Sequence, residues 1–233
     1  MKKPYIKKIG DISKFSIWLV DSIYIRNNID VSFTNFGQHY RFKFIPKNEF
    51  WISREGFSKE KRFYIDHLLI EHRLMSKGMG YDKAFDKAAI IEKRERRKID
   101  FLNKKFPSKP RSRDYIKKIY KKLLKECGKE VKVWIVNGEF VRDLFTPDYS
   151  EGGHDKVYWF IPKNEIWIDD ELATRERKFI LLHELHERYL MGKKKWGYKN
   201  AHNDANKTEY FCRHHVRFLD KNLKEEINKN NKV

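Results

Sequence analysis

The sequence predicts an α+β fold built twice in tandem. Three observations carry that reading. A nine-residue motif returns almost unchanged in the second half of the chain. The same succession of strand-like and helix-like segments surrounds each copy. The aromatic load, 6 Trp, 12 Tyr and 17 Phe in 233 residues, is ample for two small cores and argues against disorder.

The self-similarity is the strongest of the three. Residues 44–52 read FIPKNEFWI and residues 160–168 read FIPKNEIWI, differing at one position. Upstream, Ile17-Trp18-Leu19-Val20 answers Val133-Trp134-Ile135-Val136, and Arg26 answers Arg142. Further upstream, Tyr5-Ile6-Lys7-Lys8-Ile9 is matched with Tyr115-Ile116-Lys117-Lys118-Ile119 after a length change. Downstream, His67 answers His183, Glu71 answers Glu187, Gly80-Tyr81 answers Gly197-Tyr198, and Glu92 answers Glu209. The period is far too long for a solenoid, so the expectation is a duplicated domain. It has a first repeat over 1–92, a basic linker over 93–113, a second repeat over 114–220 and a basic polar tail over 221–233. Pro107 and Pro110 stop any helix from crossing the linker.

The second repeat sets out the elements in order. The Lys-rich stretch 112–127 predicts a helix. Residues 131–142, VKVWIVNGEFVR, predict two short strands around Asn137-Gly138, a pair suited to a tight hairpin turn. A loop follows over 146–155, then an aromatic strand over 156–162 and a short strand over 165–169, giving a small antiparallel sheet. Asp169 and Asp170 predict the cap of a helix over about 171–191, with Gly192 and a run of lysines at its end. A last helix starts near Lys199.

Composition bounds the function classes. With 52 Lys+Arg against 33 Asp+Glu, the formal charge is +19. One reading is a polyanionic partner, nucleic acid or an anionic assembly; the other is a Lys- and Asn-rich bias of composition. No apolar run approaches the roughly 18 residues of a membrane span, so no membrane is expected. The basic start, MKKPYIKKIG, lacks the apolar core of a secretion signal. Two cysteines, Cys127 and Cys212, cannot staple a chain of this size, which predicts a reduced, cytoplasmic protein without a disulfide-linked partner.

The chemistry concentrates in Leu182-His183-Glu184-Leu185-His186-Glu187. His183 and Glu187 are four apart and share a helix face. Two ligands one turn apart can hold one zinc ion, while Glu184, one residue on from His183, can face the bound water as general base. His202, on the next helix, is placed for a third ligand. Glu209, His154 in the loop 146–155, and His186 are additional candidates. Cys212, His214 and His215 form a weaker cluster that reads as an ordinary helix end.

The short acidic turn and the L-L-H-E-L helix core after a strand resemble the minimal arrangement of zincin metallopeptidases, including the small ones found with phage and mobile-element regulators. The fuller signature, H-E-L-x-E-x-x-L-M and then G-x-Y-x-x-A-H, also resembles uncharacterised phage and archaeal proteins, for which no activity is implied. The resemblance covers roughly residues 130–210 and, weakly, 15–92. For zincins it implies zinc, a Glu general base and peptide-bond hydrolysis. The departure is Glu187, which stands where the second His of H-E-x-x-H would be and favours a harder metal.

The first repeat has lost part of this set: Leu68 stands for Glu184, Phe85 for His202 and Gln38 for His154, while His67 and Glu71 remain. The second repeat is therefore the expected active copy, a metal-dependent hydrolase using Zn2+ or another divalent metal on a peptide or protein substrate. The alternative is a non-catalytic basic protein, nucleic-acid-binding or virion-associated, that retains the scaffold. A buried His–Glu pair with no metal is the plain structural reading of His183 and Glu187.

Overall fold

Strands form where aromatic and β-branched residues fit a buried, pleated surface. Phe15–Val20 (β2) and Glu49–Ser53 (β4) are such segments, and they pair in parallel with Trp18 opposite Trp51. Tyr5–Ile12 (β1) adds antiparallel to β2, and Phe36–Gln38 (β3) adds antiparallel to β4, giving the order β1-β2-β4-β3. The computed structural model describes residues 4–55, 57–98, 117–124 and 131–231.

A second sheet repeats the first. Tyr120–Leu124 (β5), Lys132–Val136 (β6), Gly152–His154 (β7) and Glu165–Asp169 (β8) stand in the order β5-β6-β8-β7. β6 and β8 are parallel, with Trp134 opposite Trp167. Even the irregularity recurs: the ladder slips between Tyr5 and Lys7, and again between Tyr120 and Lys122. Among the described residues the α-helices are α1 (Ser22–Asn28), α2 (Phe57–Met75), α3 (Tyr81–Lys98), α4 (Gly138–Leu144), α5 (Arg177–Gly192), α6 (Tyr198–His214) and α7 (Leu219–Asn231). The class is α+β, and among the described residues no helix is long and apolar enough to cross a membrane.

The chain divides into two compact units that trade a short segment. Unit 1 comprises Met1–Ile25, Phe33–Arg111 and Arg142–Asp148; unit 2 comprises Arg26–Ser32, Ser112–Val141 and Tyr149–Val233. Each unit therefore contains a seven-residue piece of the opposite sequence repeat. In unit 1, Val20, Ile25, Phe33, Phe42, Ile45 and Trp51 make one core cluster, and Phe50 packs with Leu68 of α2. In unit 2, Val133, Ile135, Ile166 and Ile168 of the sheet meet Ile180, Leu181 and Leu185 of α5, with Leu223 and Ile227 of α7 against the same cluster.

Several expectations need correction. The stretch 112–127 is not one helix: Tyr120–Leu124 is an edge strand, and the partner of Tyr5 is Tyr120 rather than Tyr115. Both tyrosines donate to the motif glutamate of their sheet, Tyr5 to Glu49 and Tyr120 to Glu165. Asn137-Gly138 turns no hairpin. Asn137 Oδ1 accepts from the Phe140 N–H and starts α4, as Asp21 does for α1. Residues 156–162 are turns rather than a strand, and β7 lies in the expected loop. The sheets are mixed, not antiparallel. Asp169 and Asp170 do not cap α5, which begins at Arg177; their carboxylates accept from the N–H groups of Glu171 and Gly138. The linker assignment fails at its start, because α3 runs to Lys98 and buries Arg96; residues 99–113 lie outside the described set. The tail is helical over Leu219–Asn231.

Buried charge is the unusual content of unit 1. Arg142 chelates Glu60 through Nε at 2.8 and 2.9 Å. Arg96 reaches Glu60 at 2.7 Å, Asp143 at 2.9 Å and Glu92 at 2.8 Å. Burial opposes the charge on Glu60, but Arg142 and Arg96 more than reverse it and hold its carboxyl below the ordinary value. A depressed carboxyl stabilises the fold above its unfolded value of about 4.5 and loses that contribution as pH falls toward the folded value. Glu60→Gln should therefore cost about 3–5 kcal/mol at neutral pH, where it leaves two arginines underpaired. The gap from wild type should narrow on acidification, as measured by urea unfolding across pH.

Candidate metal centre

α5 lays the face that carries His183 and Glu187 toward α6 and β7. Its apolar stripe, Ile180, Leu181 and Leu185, is held by the sheet, which fixes the azimuth of the remaining positions. His183 and Glu187, one turn apart, then share a face. β7 comes close because Gly152 carries no side chain. A Cβ on Gly152 would stand 2.9 Å from Ile180 and 3.3 Å from Glu184 Cγ, and one on Gly153 would stand 2.6 Å from the Tyr158 ring. That approach carries His154 to α5.

Three donor atoms converge. His183 Nε2 lies 3.5 Å from Glu187 Oε2 and 3.2 Å from His202 Nδ1, and His202 Nδ1 lies 2.8 Å from the same Glu187 oxygen. Four ligands around zinc at 2.0–2.1 Å stand about 3.3–3.4 Å apart, so the trio fits one ion with small adjustments. Two imidazole nitrogens and a carboxylate oxygen suit zinc or a somewhat harder divalent cation. His183 and Glu187 are buried, while the side chain of His202 is 36% exposed, leaving one side of the trio toward solvent.

The additional candidates divide by role. His154 is fully buried. Its Nδ1 accepts from the Lys156 N–H at 3.1 Å, which leaves Nε2–H to donate to Glu187 Oε1 at 3.0 Å. Glu209 stands behind His183, its Oε2 accepting from Nδ1 at 3.0 Å while Arg213 Nε holds its Oε1 at 2.8 Å. That is the carboxylate–histidine pairing that orients a ligating imidazole. His186 turns away from the trio, with Nδ1 on Glu226 and Nε2 on Asp204, both at 3.0 Å. Cys212 is buried, accepting from Asn222, whereas His214 and His215 are exposed. Cys127 lies outside the described residues.

Glu184 is 9% exposed, and a carboxylate oxygen of it lies within 4.8 Å of donor atoms of Glu187 and His154. Burial and then the neighbouring Glu187 charge push its carboxyl up to about 8. Burial would raise Glu187 too, but hydrogen bonds from His154, His183 and His202 hold it far below the ordinary range. His183 is also displaced: burial disfavours its charge, and the bonds to Glu187 and Glu209 outweigh burial and raise it well above the ordinary value. Two adjacent carboxyls thus have opposite tendencies, one held as an anion among donors and one held near neutrality, the pattern that separates a ligand from an acid–base group.

Unit 1 has the same frame with the opening filled. His67 Nδ1 donates to Glu92 at 2.8 Å, Arg96 braces Glu92, and His67 Nε2 lies 3.5 Å from Glu71 without a hydrogen-bond partner. Phe85 packs its ring 4.8 Å from His67, where His202 stands in unit 2. Gln38 takes the place of His154 and donates to Glu71 at 2.6 Å.

Sequence reasoning missed Arg213, Glu176 and Arg26 as parts of the surroundings. Their signal was present: Glu60 and Glu176 are spaced as His67 and His183 are, and Arg96 follows Glu92 as Arg213 follows Glu209. No protein-family model matches the chain, nor does any curated protein or solved structure.

The Glu184 displacement has a direction that can be measured. A raised carboxyl contributes its stability below the ordinary value of about 4.5 and loses it as pH rises through the folded value of about 8. In metal-free protein held with a chelator, Glu184→Gln should gain on wild type in thermal unfolding across that interval. A difference that stays flat with pH would mean that Glu184 titrates like any surface carboxylate.

Proposed function

We propose that the chain is a tandem duplication of a small zincin-like domain, and that its second copy is a metal-dependent hydrolase acting on a peptide bond. His183, Glu187 and His202 hold the divalent cation, most simply zinc. The observation that carries the reading is the meeting of His183 Nε2, Glu187 Oε2 and His202 Nδ1 beside a buried Glu184. The loss of two of these four positions together in unit 1, as Leu68 and Phe85, supports it.

When bound, the cation supplies Lewis acidity, favouring charge on a carbonyl oxygen and easing deprotonation of water. Glu184 is the general base. Its carboxylate takes one proton from the attacking water as the new C–O bond forms, and returns it to the amide nitrogen as the C–N bond breaks. A carboxyl whose affinity for the proton lies near neutrality is suited to both transfers. His154 holds Glu187 in its ligating orientation, and Glu209 does the same for His183. The partly open side at His202 is the approach for substrate.

Elemental analysis of the purified chain should find close to one zinc or other divalent ion, and His183→Ala should lose it. Glu184→Gln should keep the ion and cut hydrolysis by roughly 10²–10⁴-fold. Equal turnover by Glu184→Gln and wild type, in an assay where His183→Ala is dead, would remove Glu184 from the chemistry.

The filled frame in unit 1 gives a gain-of-site test. Phe85→His puts an imidazole where His202 has its counterpart, beside a His67 Nε2 that stands 3.5 Å from Glu71. That variant should take up a second equivalent of zinc in titration; an unchanged stoichiometry would mean that the two frames are not equivalent.

A further inference from the structure

The residue behind the ligand is itself held by a chain of buried charges, and that chain ends in the other half of the sequence. Glu209 braces His183 and is gripped by Arg213 through Nε and Nη2, both at 2.8 Å. Arg213 Nη1 donates to Glu176 Oε2 at 2.8 Å and to Asn27 Oδ1 at 2.9 Å. Glu176 in turn accepts from Arg26 through Nε at 3.3 Å and Nη2 at 3.1 Å, and Arg26 also pairs with Glu151 through Nη1. Arg26, Glu176 and Glu209 are at most 2% exposed, and Arg213 is 7% exposed. Arg26 and Asn27 lie in the first sequence repeat, yet their segment belongs to unit 2.

We propose that Arg26 is a positioning residue for the metal centre, so that the repeat lacking a complete ligand set is required to finish the site of the other. The inference rests on the reading of His183, Glu187 and His202 as metal ligands. Its physics is the cost of burying charge. Glu176, Glu151 and Glu209 are three buried carboxylates, and Arg26 and Arg213 are the guanidinium groups bonded to them. Without Arg26, Glu176 and Glu151 both lose a cation, and Arg213 becomes the remaining buried guanidinium on Glu176. A buried carboxylate deprived of its cation draws on whatever donor remains. Arg213 shifts toward Glu176, its hold on Glu209 slackens, and the imidazole of His183 loses the partner that fixes its ring. Loss of such an outer partner typically weakens metal binding 10- to 100-fold.

The pseudo-equivalent network in unit 1 provides the control. There Arg142, Glu60, Arg96, Glu92 and His67 form the same succession, with Arg142 drawn from the second repeat. It ends on a histidine whose site lacks its third ligand. Arg26→Gln and Arg142→Gln thus break matching buried pairs, and only the first feeds a complete ligand set.

The experiment measures the zinc dissociation constant of the full-length chain by competition with a chromogenic chelator, alongside the melting temperature of the metal-free form. Both variants should lower that melting temperature, while zinc binding weakens by roughly 10- to 100-fold in Arg26→Gln alone. If Arg26→Gln does not fold, Arg26→Lys keeps the charge but not the two-nitrogen grip on Glu176, and its zinc affinity should fall several-fold. Wild-type affinity in the folded Arg26 variant overturns the positioning role and leaves the metal centre standing. An equal loss in Arg142→Gln also overturns it, since the effect is then general destabilisation. A wild-type chain that takes up no zinc overturns the metal centre, and the proposal with it.

Discussion

An ionised carboxylate sealed from water is stable only among donors, and Glu187 has gathered three. His154 reaches one oxygen; His183 and His202 face the other. Each donor comes from a different element, β7, α5 and α6, so the position of one side chain fixes how a strand and a second helix settle against α5. The packing around it serves that approach. The glycines of β7 let the strand come near, and the sheet-facing side of α5 is apolar enough to fix the rotation of the helix.

The same constraint separates the roles of neighbouring acids. Glu184 and Glu187 are both buried on one helix, three residues apart, and differ in what meets them. Glu187 is surrounded by imidazoles. Glu184 is pushed toward its neutral form by enclosure and by the charge of Glu187 itself. Around this pair the protein places further acids, of which Glu209 meets the trio at His183 Nδ1, the ring nitrogen turned away from Glu187. Glu209 and Glu176 are bonded to arginines, which offset their charge while they orient other groups.

Much of this was legible because it follows from local periodicity. The spacing of His183 and Glu187 sets them on one face of any helix, and the placement of His202 and Glu209 follows from their position on the succeeding one. The motif strand β8 and its twin β4 declare themselves by aromatic and β-branched residues. The errors have equally physical causes. Residues 120–124, YKKLL, have good helix propensity, and pairing with β6 overrides it. Asn137 is at home in a turn and at a helix start for the same reason, a short side chain that accepts from the backbone two or three residues on. The aromatic run at 158–160 reads as a strand, yet Phe160 is buried in a turn and Trp159 is 85% exposed. The arginine networks are contacts across up to 186 positions, which no window of sequence contains. Only comparison of the two repeats, Arg26 with Arg142 and Glu60 with Glu176, hints at them.

The traded segments bear on how such a chain can evolve. Arg26–Ser32 belongs to the unit built on the second half, and Arg142–Asp148 to the unit built on the first. Once a buried acid in each half comes to depend on an arginine encoded in the other, deleting either half strands a charge in the survivor. Each half is then tied to the other. The half that carries Leu68 and Phe85 can drift at those two positions, but it cannot be discarded. Its frame is preserved by proxy, through the buried acid in the other half that needs its arginine.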